Sequence, residues 1–164
     1  VPAPSEHILI AAMNQIRRNL LTLGRHNGYR HDYRGVRTWM YDYPIEADLE
    51  RPWVQAELGE AASNLVSNTL TRVQRRLYLR AHILGDHYGD GEIDVNTPAL
   101  NVIADFEQRM MLDRSQGSTV LDTQYDQDEC TWERFMANDQ PGVTVTEAYI
   151  LEYHWLTGDM GTAP

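Results

Sequence analysis

The chain has 164 residues, of which 14 are basic and 24 acidic, giving a net charge of −10. That length predicts one domain, 1–164, with a core of its own, and the charge argues against wrapping nucleic acid, which needs clustered positive charge. No apolar run reaches the length of a transmembrane helix, and the single cysteine, Cys130, excludes an internal disulfide and a Cys-based metal site.

Ser5 is placed to cap a first helix running to about Leu23, with Ile8, Leu9, Ala12, Met13, Ile16, Leu20 and Leu23 along one side. The preceding Val1-Pro2-Ala3-Pro4 has neither a basic nor an apolar region, so no signal peptide is expected. Gly24 is a natural stop. Arg25 to Gly35 reads as a polar loop, Val36 to Tyr41 and Pro52 to Leu58 as strands, and Gly59 to Asn68 as a loop between strands. From Thr71 to Leu112 the pattern is strongest. Val73, Leu77, Leu79, Ala81 and Ile83 alternate with Arg72, Gln74, Arg76, Tyr78, Arg80 and His82, the period of a half-buried strand, with Arg75 interrupting the apolar set. A helix follows, with Thr97 as the expected N-cap, Pro98 in the first turn, and Ala99, Val102, Ile103, Phe106, Met110 and Met111 as its stripe. Ser115 to Ser118 is a turn. Val120 to Tyr125 is a strand candidate, Asp126 to Gly142 is acidic and irregular, and Val143 to Trp155 is a β-prone closing strand. This order predicts an α+β fold, a largely antiparallel sheet of about four to five strands with two helices packed on one face.

Chemistry-bearing motifs are sparse. Asp86 to Asp94 resembles part of a calcium loop, with acids at the first, fifth and ninth positions and Gly91 at the sixth. Tyr88 and Thr97 stand where two oxygen ligands belong, and the segment before it alternates like a strand. The six histidines show no metal-binding spacing, and no nucleophile elbow, P-loop or dinucleotide motif is present. The acidic neighbours of Cys130 make it a poor nucleophile. The expectation is a protein that is not an enzyme and has no cofactor.

Charge distribution is more informative. Residues 1–80 hold 11 arginines against 8 acids, and residues 81–164 hold 3 against 16; the chain has no lysine. Arg and Tyr are favoured at protein interfaces. Arg72, Arg76, Tyr78 and Arg80 on one strand face, with Arg34 and Arg37 in the Arg-rich loop, are therefore candidate interface residues. The complementary partner could be another copy of the chain, its acidic half meeting the arginine half head to tail in a closed ring.

In the order and character of its parts the chain resembles the tail-terminator proteins of long-tailed bacteriophages, the lambda-like minor tail proteins. The resemblance runs from about Ser5 to Trp155. It is carried by the first helix, Tyr33-Arg34-Gly35-Val36-Arg37, Pro52 to Leu58, Leu77 to His82, the helix Ala99–Leu112, and the closing pair Val120 to Thr123 and Ala148 to Tyr153. It implies a homo-oligomeric ring, six copies, that caps the tail-tube protein, ends polymerisation and receives the head-completion (stopper) protein. Genome DNA passes through the lumen without specific binding. It implies a virion location at the tail neck, with assembly in the host cytoplasm. Asp126, Asp128, Glu129 and Glu133 are candidates for the lumen or an axial docking surface, because an acidic lumen repels phosphates. The Arg25–Arg51 and Asp126–Gln140 segments are longer than in the lambda-like pattern. The alternatives are a neck connector one ring closer to the head and, in another class, a metal- or calcium-binding domain centred on 86–94.

Overall fold

The computed structural model describes residues 7–33, 35–38, 52–66, 70–87 and 91–156. Helix α1 is Ile8–Leu20. Ser5 lies outside the described residues, and the cap is His7, whose Nδ1 accepts from the Leu9 amide at 3.2 Å. Strand β1, Gly35–Thr38, pairs in parallel with β2, Trp53–Val66. Strand β3, Leu70–Leu84, runs antiparallel to β2. Two short strands, β4 (Asp86–His87) and β5 (Ile93–Asp94), form a separate ribbon before helix α2, Asn96–Leu112. Strands β6 (Asp122–Tyr125), β7 (Thr131–Ala137) and β8 (Gln140–Leu156) complete the fold.

The main sheet has the order β1-β2-β3-β8, with β6 and β7 both on the outer edge of β8. Strand β8 pairs with β3 along the whole length of β3, from Leu70↔Leu156 to Leu84↔Gly142. Its far edge takes β7 at 140–146 and β6 at 149–152. The two short strands therefore lie end to end, and the gap between them falls at Glu147–Ala148.

Alternation assigns the faces. Val54 and Ala56 of β2, Val73, Leu77, Leu79, Ala81 and Ile83 of β3, and Val143, Val145, Tyr149, Leu151 and Tyr153 of β8 are buried in one cluster. The same cluster takes Ala12, Met13, Ile16 and Leu20 of α1 and Ala99, Val102, Phe106 and Met110 of α2. Both helices thus cover one face of the sheet, and the fold is α+β with a mostly antiparallel sheet. Apolar burial supplies its main driving force, about 25 cal/mol per Å². Buried amides tie α1 to the connection before β6: Asn19 Nδ2 donates to Gln116 Oε1 at 2.9 Å and Gln116 Nε2 to Thr123 Oγ1 at 3.3 Å.

Three expectations are corrected. Residues 59–66 continue β2 rather than forming a loop. Gly59 to Asn64 carry little β-preference, but pairing with β3 holds the segment extended across two register shifts, at Leu58/Ala61 and Ala61/Ser63. The side chain that caps α2 comes from Asp94, one residue before the N-cap Val95, and not from Thr97; Asp94 Oδ1 accepts from the Asn96 and Thr97 amides at 2.8 and 3.2 Å. The segment 126–142 is not irregular throughout. It forms β7 and a two-residue hairpin at Asn138 (φ 50°) and Asp139 (φ 62°), residues that tolerate left-handed backbone.

Gly142 is required by close approach. A Cβ there would stand 2.5 Å from Phe135 Cζ and 2.7 Å from the Ile83 carbonyl oxygen. Phe135, opposite it on β7, fills the space. Gly142→Ala should lower stability by about 1–3 kcal/mol through overpacking, read as a fall in the thermal midpoint; an unchanged midpoint would contradict this packing.

Candidate subunit interface

Among the described residues no helix packs on the second face of the sheet. Arg72, Arg76, Tyr78 and Arg80 share this face, as their alternation requires. Each arginine already has a carboxylate in its own chain. Arg72 Nη2 lies 2.6 Å from Glu152, Arg76 Nε 3.1 Å from Asp126, and Arg80 Nη1 2.8 Å from Glu57. Arg80 also lies over the Tyr78 ring, 5.9 Å from its centroid. The hydrogen bond from Arg72 holds the Glu152 carboxyl below the ordinary carboxylate range. Part of the charge asymmetry between the two halves is thus neutralised within the chain, since Arg72 and Arg76 meet acids of the second half. Farther along this face Trp53 stacks on His82, ring centroids 4.2 Å apart, and Thr144 Oγ1 lies 2.9 Å from His82 Nδ1.

The remaining predicted residues fall elsewhere. Arg34 lies outside the described residues. Arg37 is in β1, opposite Gln55, on one outer strand of the sheet. Asp126 pairs with Arg76, and Asp128 and Glu129 are exposed on the 3-10 turn Gln127–Glu129. Glu133 is exposed on β7, on the other outer edge. The segment 25–37 running into β1 carries four arginines and one aspartate, whereas 126–139 carries five acids and one arginine. The segments that form the two outer strands therefore carry opposite net charge in sequence, although Arg30 is paired with Asp105 and Asp126 with Arg76.

The loop before β1 is fixed from below. Asp105 of α2 has no solvent exposure and accepts from the Arg30 amide (2.9 Å), the His31 amide (3.1 Å), Arg30 Nη1 (3.2 Å) and the Tyr33 hydroxyl (3.2 Å). Burial and the Asp105 charge keep the Tyr33 phenol neutral. Asp105 stands in the apolar run of α2, and only its inward position distinguishes it in sequence.

Glu147 was missed. It is 2% exposed and lies on the helix-side face of β8 between Val145 and Tyr149. Tyr125 OH is 3.5 Å from its Oε1, and the Tyr149 hydroxyl and the Cys130 thiol also stabilise its carboxylate. Burial, with the nearby Glu107 charge, pushes the Glu147 carboxyl up to about 7. The Cys130 thiol donates to Tyr125 OH at 3.4 Å, and burial raises its pKa. The signal lay in the alternation: a charged residue in phase with Val143, Val145, Tyr149 and Leu151 must point inward.

In the calcium-like segment, Asp94 is engaged in capping α2. Among the described residues no group of three or more His, Cys, Asp or Glu is arranged to hold a metal, and no helix is long and apolar enough to cross a membrane. No protein-family model matches the chain, and no curated protein matches it.

Proposed function

We propose that this chain is a virion assembly protein, a tail terminator that closes head to tail into a ring on the phage tail tube. The observation that carries the reading is that the segments forming the two outer strands carry opposite net charge in sequence, 25–37 leading into and through β1 being basic and 126–139 leading into and through β7 being acidic. Surfaces that are complementary but not self-complementary join heterologously, and such joints close into rings when the rotation permits. Outer strands also offer unpaired backbone groups for strand addition. The resemblance in sequence set out above supplies the rest of the reading: six copies, the tail-tube protein below, the head-completion protein above, and DNA in the lumen. The exposed Asp128 serves there as an axial or lumen charge.

Two paired variants test the joint. Arg34→Glu/Arg37→Glu and Glu129→Arg/Glu133→Arg should each be monomeric where the native chain assembles. Mixed in equal amounts they should reassemble, because the two altered edges again attract and the two unaltered edges still match. Assembly of either variant alone to the native extent, read by analytical ultracentrifugation, would remove the edge-to-edge joint. Co-sedimentation with tail-tube protein rather than head-completion protein is the expected outcome for a terminator.

A further inference from the structure

We infer that the outer edge of β7 accepts strand β1 of a second copy of this chain, so that the main sheet runs on from one subunit to the next; the inference rests on the head-to-tail reading above. Among the described strands β7 (Thr131–Ala137) pairs with β8 alone, and β1 (Gly35–Thr38) with β2 alone. Each therefore turns a row of backbone amides and carbonyls away from its own sheet, the groups that a further strand takes up. Strand β7 lacks the usual protection of an outer strand. It is seven residues long, has no proline and no lysine, and its two charges, Glu133 and Arg134, are adjacent and opposite. Trp132 (45% exposed) and Met136 (58% exposed) stand on its helix-side face, in phase with Val145 and Val143.

Three properties select β1 as the occupant. The first is strand direction. Strand β1 runs parallel to β2, and each further step, β2 to β3, β3 to β8 and β8 to β7, is antiparallel. Strand β1 therefore points opposite to β7. A ring that carries the sheet forward keeps these directions, so β1 of the next copy meets β7 as an antiparallel pair, the more stable ladder. The second is phase. Val36 belongs to the core cluster on the helix side. Residues opposite one another in a ladder share a face, so Val36 of the incoming strand extends the apolar layer beside Trp132 and Met136. A groove of about 430 Å³, lined in part by Ile93, Val95, Met136 and Pro141, adds apolar surface at the same end of β7. The third is charge. Two β7 edges related by a two-fold axis would also pair antiparallel, but each 126–139 segment brings five acids and one arginine. The segment 25–37 that leads into and through β1 brings four arginines and one aspartate instead.

Hydrogen exchange of the full native chain, compared between the assembled species and the monomer obtained by dilution, tests the ladder. Alternate amides along 131–137, those turned away from β8, should slow about tenfold on assembly, together with the amides of 35–38 turned away from β2. Trp132→Lys/Met136→Lys should raise the assembly midpoint about tenfold by analytical ultracentrifugation, because charge on an outer strand opposes strand addition. Its thermal midpoint should stay at the native value, since both side chains are exposed. If the native chain assembles while exchange in β7 and β1 keeps its monomer rate, the ladder is overturned and the head-to-tail joint stands on side-chain charge alone. Assembly of the double lysine variant at the native midpoint overturns the ladder in the same way. A dimer in which β7 slows and β1 does not means that β7 edges pair with each other, and it overturns both readings. A native chain that stays monomeric at every concentration also removes both.

Discussion

Glu147→Gln should raise the unfolding free energy at pH 8 by up to about 3 kcal/mol and leave it nearly unchanged at pH 4. The Glu147 carboxyl is lifted from an ordinary 4.5 to about 7, and each pH unit is worth about 1.4 kcal/mol. The sign follows from proton binding. Below about pH 4.5 the carboxyl is protonated whether the chain is folded or unfolded. As pH rises from there, the unfolded chain gives up its proton while the folded chain keeps it, so native stability declines. The decline ends near pH 7, where the folded carboxyl also ionises and the deficit stays constant. The amide of Gln has the shape of the acid and no charge to bury, so the variant escapes this deficit. Urea unfolding of monomeric chains at pH 4, 6 and 8 reads it directly. A difference between the two chains that does not grow with pH would contradict the account of Glu147.

Asp105→Ala should cost about 3–5 kcal/mol, the range for removing one partner of a buried charged pair. Four donors converge on this carboxylate: two backbone amides, a guanidinium and a phenol. Alanine leaves the amides of Arg30 and His31 and the Tyr33 hydroxyl beside an apolar helix without an acceptor. Asp105→Asn keeps one acceptor oxygen and should lose about half as much. Urea unfolding gives the magnitude, and hydrogen exchange at the Arg30 and His31 amides shows whether the loop is released. A loss below about 1 kcal/mol would mean that the loop before β1 is held by something other than Asp105. Because that loop leads into the basic edge, the same variant should also weaken assembly.

Much of this fold can be read from periodicity. The two-residue alternation of β3 and most of the helical stripe of α2 are buried as their spacing requires, with Leu77, Leu79, Ala81, Val102 and Phe106 at zero exposure, whereas Met111 at the end of the stripe is 39% exposed and Ile103 only partly buried. The elements that escape such a reading are held by their neighbours. Gly59 to Asn64 is extended because β3 continues beside it, and no side chain there announces a strand. Strand β7 is masked by its charges, although Asn138-Asp139 between Ala137 and Gln140 is a hairpin signal. At the candidate interface, the shared face of Arg72, Arg76 and Arg80 was legible, but their carboxylates were not. Partners such as Glu152 and Asp126 lie 80 and 50 residues away and meet them only through β8 and the β6–β7 connection. Glu147 was legible in phase but not in consequence, because alternation places a side chain inward without saying what faces it.

The central claim is that copies of this chain close on one another head to tail. Native mass spectrometry of the purified chain across a concentration and salt series tests it most directly. The account predicts a single closed species, six subunits, that gives way to monomer as salt screens the edge charges. A chain that remains monomeric throughout, or that forms only a dimer insensitive to salt, would contradict it.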